Sequence, residues 1–258
     1  GYFEGGGFIR PDSIVGVIRY VGLQSVSDDG VAVGFDLDGQ VTEEGDTNSC
    51  THGDFVDPDG APGIDNQFAE VWTAIQPIVG EQVEALLTNA INDGRFLLLI
   101  ELSDVDDLLN DESVTLTLLR GVGQPLVSSS KTLMSHQTYY VDPDYPISVV
   151  EGVSLTNGVL EAGPVTFSIP IEIFEADFLV PIEQGRLRVE VHEDGSFTGI
   201  LAGKMHVQDA LDKLYTTNAA AEAQIVTPFM LENAKAMARK EDRMSAELGP
   251  DKVSCRGQ

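Results

Sequence analysis

Leu187 to Leu201 reads LRVEVHEDGSFTGIL. Apolar and polar residues alternate on both sides of Glu193-Asp194-Gly195-Ser196. An Asp-Gly pair between two such runs is a strong hairpin signal, because glycine accepts the positive φ of a tight turn. Leu187–His192 and Phe197–Leu201 are therefore expected as paired antiparallel strands. The same pattern extends outward. Val114–Leu119 alternates as VTLTLL, and further strands are predicted near Tyr139–Val141, Ile147–Val150, Val153–Leu155, Val165–Ile173 and Phe178–Ile182. Arg95–Leu102, RFLLLIEL, is a continuous apolar run suited to a strand buried on both faces. Short strands broken by turn residues point to a mainly β chain, an antiparallel β-sandwich or barrel rather than a parallel α/β sheet.

Towards the N-terminus, residues 1–12 are rich in glycine and read as a flexible arm. Ser13–Val26 and Val31–Asp36 flank an Asp28-Asp29-Gly30 turn signal and are expected as a hairpin that delivers the chain into an acidic loop, residues 34–67. A helix over 66–91 follows, with Asp65 or Asn66 as its N-cap and Phe68, Val71, Trp72, Ile75, Ile78 and Val79 at helical spacing. Pro77 and Gly80 are expected to kink or split it. After residue 206 the composition turns helical. Val207–Tyr215 reads as a short helix, and Thr227-Pro228 opens a second that stops at Gly249-Pro250. The organisation is thus an arm (1–12), a β-rich domain (13–206) and a helical tail (207–258).

Charge is the compositional outlier. The 258 residues carry 42 Asp and Glu against 15 Lys and Arg, a formal charge of −27. Such a field repels nucleic acid and anionic membranes and favours cations and basic surfaces. An apolar fraction of 42% argues against wholesale disorder. No apolar run is long enough for a membrane span. Lys235, Arg239, Lys240 and Arg243 make the second tail helix a basic patch, and with the N-terminal arm it is a candidate contact for other subunits.

The acidic loop reads GFDLDGQVTEEGDTNSCTHGDFVDPDGAPGIDNQ. Short Asp side chains beside turn-forming glycines can converge on one hard cation, and calcium asks for six to eight oxygens. Asp57, Asp59, Asp65 and Asn66 on one side, with Asp36 and Asp38 on the other, are the candidate ligands, and calcium the expected ion. The EF-hand pattern is absent, since no Asp-x-[Asp/Asn]-x-[Asp/Asn]-Gly run ends in a Glu. The competing reading makes the same residues turn formers and a helix cap.

The two cysteines, Cys50 and Cys255, have no partner at zinc-ligand spacing and are expected to form one disulfide between loop and tail. The segment from Cys50 through PDGAPGIDNQ resembles stretches of uncharacterised exported proteins from myxobacteria and related bacteria. That resemblance covers some twenty residues and implies a secreted, periplasmic or surface location, with no activity attached. Tyr139, Tyr140 and Tyr145, beside Asp142-Pro143-Asp144, form the aromatic loop where a ligand such as a carbohydrate would be sought. Neither a Gly-x-Ser-x-Gly elbow nor an HExxH or CxxC motif occurs, and no catalytic residues are assigned. The expected function is an exported binding or assembly protein, an accessory subunit with a calcium-bound loop. A polysaccharide hydrolase or carbohydrate-binding module is the alternative.

Overall fold

The computed structural model describes residues 2–9, 13–46, 53–134, 137–145, 147–173 and 176–204. Eight strands dominate: β1 (Tyr2–Ile9), β2 (Ser13–Gly22), β5 (Leu98–Ser103), β6 (Asn110–Val122), β8 (Ser148–Thr156), β9 (Val159–Ile173), β10 (Ala176–Val191) and β11 (Ser196–Lys204). Each pairs antiparallel with its neighbour in this order. The last, β11, returns to the first, β1. Because β5 pairs with both β2 and β6, the sheet meets itself as a meander barrel of the kind the antiparallel pattern allowed. The short strands β3 (Phe55–Val56), β4 (Pro62–Ile64) and β7 (Tyr140–Val141) are accessories, the last pairing with the end of β6.

The period of two explains the interior. Ile14 and Ile18 on β2, Leu98, Ile100 and Leu102 on β5, and Val114, Leu116 and Leu118 on β6 all point into one buried cluster. Leu160, Ala162, Leu187, Val189, Val191 and Phe197 complete it from the other side. Phe197 lies across Gly16, where a Cβ would collide with its ring. The Asp-Gly hairpin is present, with His192 N donating to Ser196 O at 2.9 Å and Gly195 at φ 78°.

Several expectations need correction. Tyr2–Ile9 is not a free arm but the strand that joins β2 to β11. Ser13–Val26 and Val31–Asp36 do not form a hairpin: β2 pairs with β1 and β5, and Val31 makes only a single bridge to Val56. The pairs Ile147–Val150 with Val153–Leu155, and Phe178–Ile182 with Leu187–His192, are single strands. Their pairing slips at β-bulges near Gly152 and Gly185, so breaker residues mark bulges rather than ends. The helix expected over 66–91 is one helix, α1 (Gln67–Asn92), which passes through Pro77 without interruption. The expected tail helices and both cysteines lie outside the described residues.

The meander gives the barrel two unlike rims. One is closed by short links at 104–109, 157–158 and 192–195. The other carries the described parts of the excursion between β2 and α1, α1 itself, the described parts of the link between β6 and β8, and the end of β11 at Lys204.

One seam is thinner than the rest. The β8–β9 ladder covers only Leu155–Leu160 and Thr156–Val159. Beyond it side chains bridge the strands. Ser148 Oγ donates to Thr166 O at 2.7 Å and accepts from Thr166 N at 3.0 Å. The Tyr145 hydroxyl donates to Ser168 O at 3.2 Å and accepts from Ser168 N.

Candidate cation site

The excursion has its own small core of Ala32, Ile64 and Ala69, with Val26 and Phe55 packed against it. Two arginines of β10 clasp it to the barrel wall. Leu187 and Val189 point inward, so Arg186 and Arg188 fall on the outer face by strand alternation. Arg186 Nη1 donates to Asp36 O at 3.0 Å. Arg188 places its guanidinium 5.6 Å from the Phe35 ring centroid, its Nε 2.6 Å from Glu161 and its Nη1 3.9 Å from Asp57. Asp57 is only 6% exposed, so Arg188 is the charge that balances a buried carboxylate.

On this platform Asp36, Asp38 and Asp65 converge, each offering one carboxylate oxygen within 4.8 Å of the others. The turn after Phe35 supplies the first two. Asp36 Oδ1 accepts from Gly39 N at 2.6 Å, and Asp38 Oδ1 from Gln40 N at 2.8 Å. The third arrives from the strand before α1. Asp65 N donates to Phe35 O at 3.1 Å, while Asp65 Oδ2 accepts from Leu37 N at 2.6 Å and Asp38 N at 3.2 Å. Gly63, at φ 93°, lets the chain pass close by: a Cβ there would sit 3.2 Å from Gln40 O and 3.4 Å from Asp36 Oδ2.

Burial pushes the Asp65 carboxyl up to about 6, and the charges of Asp38 and Asp54 add to this against the Leu37 and Asp38 amides. The half-buried Asp65 is thus held at a cost in its ionised form. A divalent cation among the three carboxylates would reverse that preference, since an adjacent positive charge favours ionisation. Three carboxylate oxygens form part of a calcium shell, which carbonyls and water commonly complete.

The other expected ligands stand elsewhere. Asp57 heads a turn, with Oδ1 accepting from Asp59 N at 2.9 Å and its backbone oxygen accepting from Gly60 N at 2.8 Å. Asp57 and Asp59 are not among the converging carboxylates. Asn66 caps α1: Oδ1 accepts from Ala69 N at 3.2 Å and Nδ2 donates to Val33 O at 2.7 Å. The cap reading accounts for Asn66 and the turn reading for Asp57 and Asp59.

The tyrosines do not share a surface. Tyr140 is 80% exposed on β7, whereas Tyr145 is 7% exposed and engaged at the seam. Tyr139 packs against the barrel core, its hydroxyl buried without a hydrogen-bond partner, and burial raises its pKa. Sequence reasoning missed Arg186 and Arg188. The signal was available in their outward phase on an otherwise inward-alternating strand of an acidic protein.

In comparisons with known proteins, no family model matches the chain, and neither a curated protein nor a solved structure matches it. Among the described residues no helix is long and apolar enough to cross a membrane.

Proposed function

We propose that the chain is an exported, non-enzymatic binding or assembly protein whose acidic excursion is rigidified by one calcium ion held by Asp36, Asp38 and Asp65. The observation that carries this reading is the convergence of three carboxylates from two segments, on a loop clasped to the barrel by Arg186. Calcium rather than zinc follows from an all-carboxylate donor set, because hard oxygen ligands suit calcium and nitrogen or sulfur ligands suit zinc. The ion's role is structural. It would neutralise mutual repulsion at the rim that carries every long excursion, and so hold a binding surface in one shape. A Cys50–Cys255 bridge belongs to the same proposal and, by loop entropy, would contribute up to about 5 kcal/mol.

Calorimetric titration of the full chain with calcium is the test. Saturable binding at one site is expected, lost in Asp38→Asn and Asp65→Asn and retained in Asp59→Asn. Binding that survives both of the first two substitutions would overturn the assignment. Peptide mapping without reductant checks the bridge by the presence or absence of a linked 50/255 pair.

A further inference from the structure

The β8–β9 ladder stops after Leu155–Leu160 and Thr156–Val159, whereas β9 continues to Ile173. Along that edge the described residues offer β9 no further strand. In an antiparallel pair a residue's N–H and C=O point together, at the partner or away from it, and alternate along the strand. Thr166 and Ser168 point away from β10, since Thr166 N donates to Ser148 Oγ at 3.0 Å and Ser168 N to the Tyr145 hydroxyl. Two residues further on, Pro170 has the same phase, opposite Leu179 of β10, and has no N–H to offer.

Each hydroxyl serves a whole residue. Ser148 Oγ also donates to Thr166 O at 2.7 Å, and the Tyr145 hydroxyl to Ser168 O at 3.2 Å. The donor and acceptor that a neighbouring strand would engage are thus already engaged at 166 and 168, and at 170 the donor is missing. The tyrosine is firmly held. Its side chain is buried, the Arg120 guanidinium lies 5.6 Å from its ring centroid, and Arg120 Nε is 3.7 Å from Asp142 Oδ2. Asp142 N in turn donates to Arg120 O at 2.9 Å, which pins the turn before Tyr145 to β6. Beside the edge, Ile147 and Val149 are 56% and 52% exposed. Unpaired backbone next to exposed apolar side chains is a surface on which an identical chain pairs, edge to edge about a twofold axis.

We propose that Tyr145, Ser148 and Pro170 seal this edge of β9 against antiparallel pairing with a second copy of the chain. Proline is among the residues that keep edge strands from pairing, and here it stands where the hydroxyls end. The seam is then more than a thin part of the wall: the side chains that close it also keep residues 166–170 from acting as a template for another strand.

Sedimentation equilibrium and amide exchange of the full chain, native and Tyr145→Phe/Ser148→Ala/Pro170→Thr, test this. With the edge unsealed, the variant's mass is expected to climb towards two chains as concentration rises. Its exchange at residues 165–170 should slow about tenfold or more on association, while native exchange at 165–168 stays independent of concentration. A variant that matches the native mass at every concentration, with β5 and β6 still protected, would overturn the proposal. Native exchange at 165–168 that slows with concentration would do the same. Pro170→Thr alone removes none of the hydroxyl bonds and covers the case in which the triple variant unfolds. Its new amide is expected to exchange as fast as a fully exposed one. Protection there would show that another element already covers the edge and would contradict the assignment.

Discussion

At the scale of single residues, the acidic chain depends on where its few cations stand. Arg188 faces a carboxylate that is almost wholly buried, along with Glu161 and the Phe35 ring. Arg188→Ala leaves Asp57 without its counter-charge and should cost about 1–3 kcal/mol in chemical denaturation. An unaltered midpoint would show that the Asp59 amide alone suffices. Gly16 makes the opposite kind of demand. The Phe197 ring occupies the space of its missing Cβ, so Gly16→Ala should destabilise by about 1–3 kcal/mol through overpacking. Asp65 sets a pH dependence whose sign is definite. Its folded pKa, about 6, lies above the unfolded value of 3.8. Its contribution is therefore full below about 4 and is lost as pH rises through 6. Without calcium, the stability of the native chain relative to Asp65→Asn should fall across that window. A flat difference would show that the carboxyl is not strained.

At the scale of elements, the strands legible in the sequence were those with uninterrupted alternation. Leu187–Val191 with Phe197–Leu201 could be read as a hairpin because Asp194-Gly195 separates two clean runs. β8 and β10 were read as fragments because Gly152 and Gly185 occupy bulges, and a bulge shifts the period by one residue. β1 was invisible because three consecutive glycines erase any alternation, although the barrel needs that strand to close. The site was half legible. Asp36, Asp38 and Asp65 were among the candidates, but local spacing alone does not distinguish them from Asp57, Asp59 and Asn66, which serve a turn and a cap. The separation appears only when Asp65 is brought back to the 36–38 turn by the Phe35 backbone. The seam between β8 and β9 gives the prediction at this scale. Tyr145→Phe removes two hydrogen bonds that replace missing ladder bonds. It should cost about 1–2 kcal/mol and speed exchange at residues 165–168, while β5 and β6 keep their protection. Equal exchange in the variant would mean that packing alone closes the seam.

At the scale of the whole molecule, the barrel separates a packed apolar interior from the charged excursion clasped to its wall. Its interior is a continuous aliphatic and aromatic cluster, and its short-linked rim contains little besides turns. Among the described residues, the clasped acidic excursion, α1 with its exposed apolar side chains and the end of β11 lie at the opposite rim. A formal charge of −27 concentrates repulsion wherever carboxylates meet, so a bound cation there adds more than screening does. Thermal unfolding of the full chain measures this directly. It should be recorded at pH 7.5, where Asp65 is ionised, with millimolar calcium, with chelator, and with sodium chloride at matched ionic strength. At about 100 times its dissociation constant, calcium should add about 2.7 kcal/mol, a rise of several degrees beyond the salt control that disappears in Asp38→Asn. A melting temperature that follows ionic strength alone would contradict a specific calcium site and leave the excursion as an arginine-clasped acidic turn.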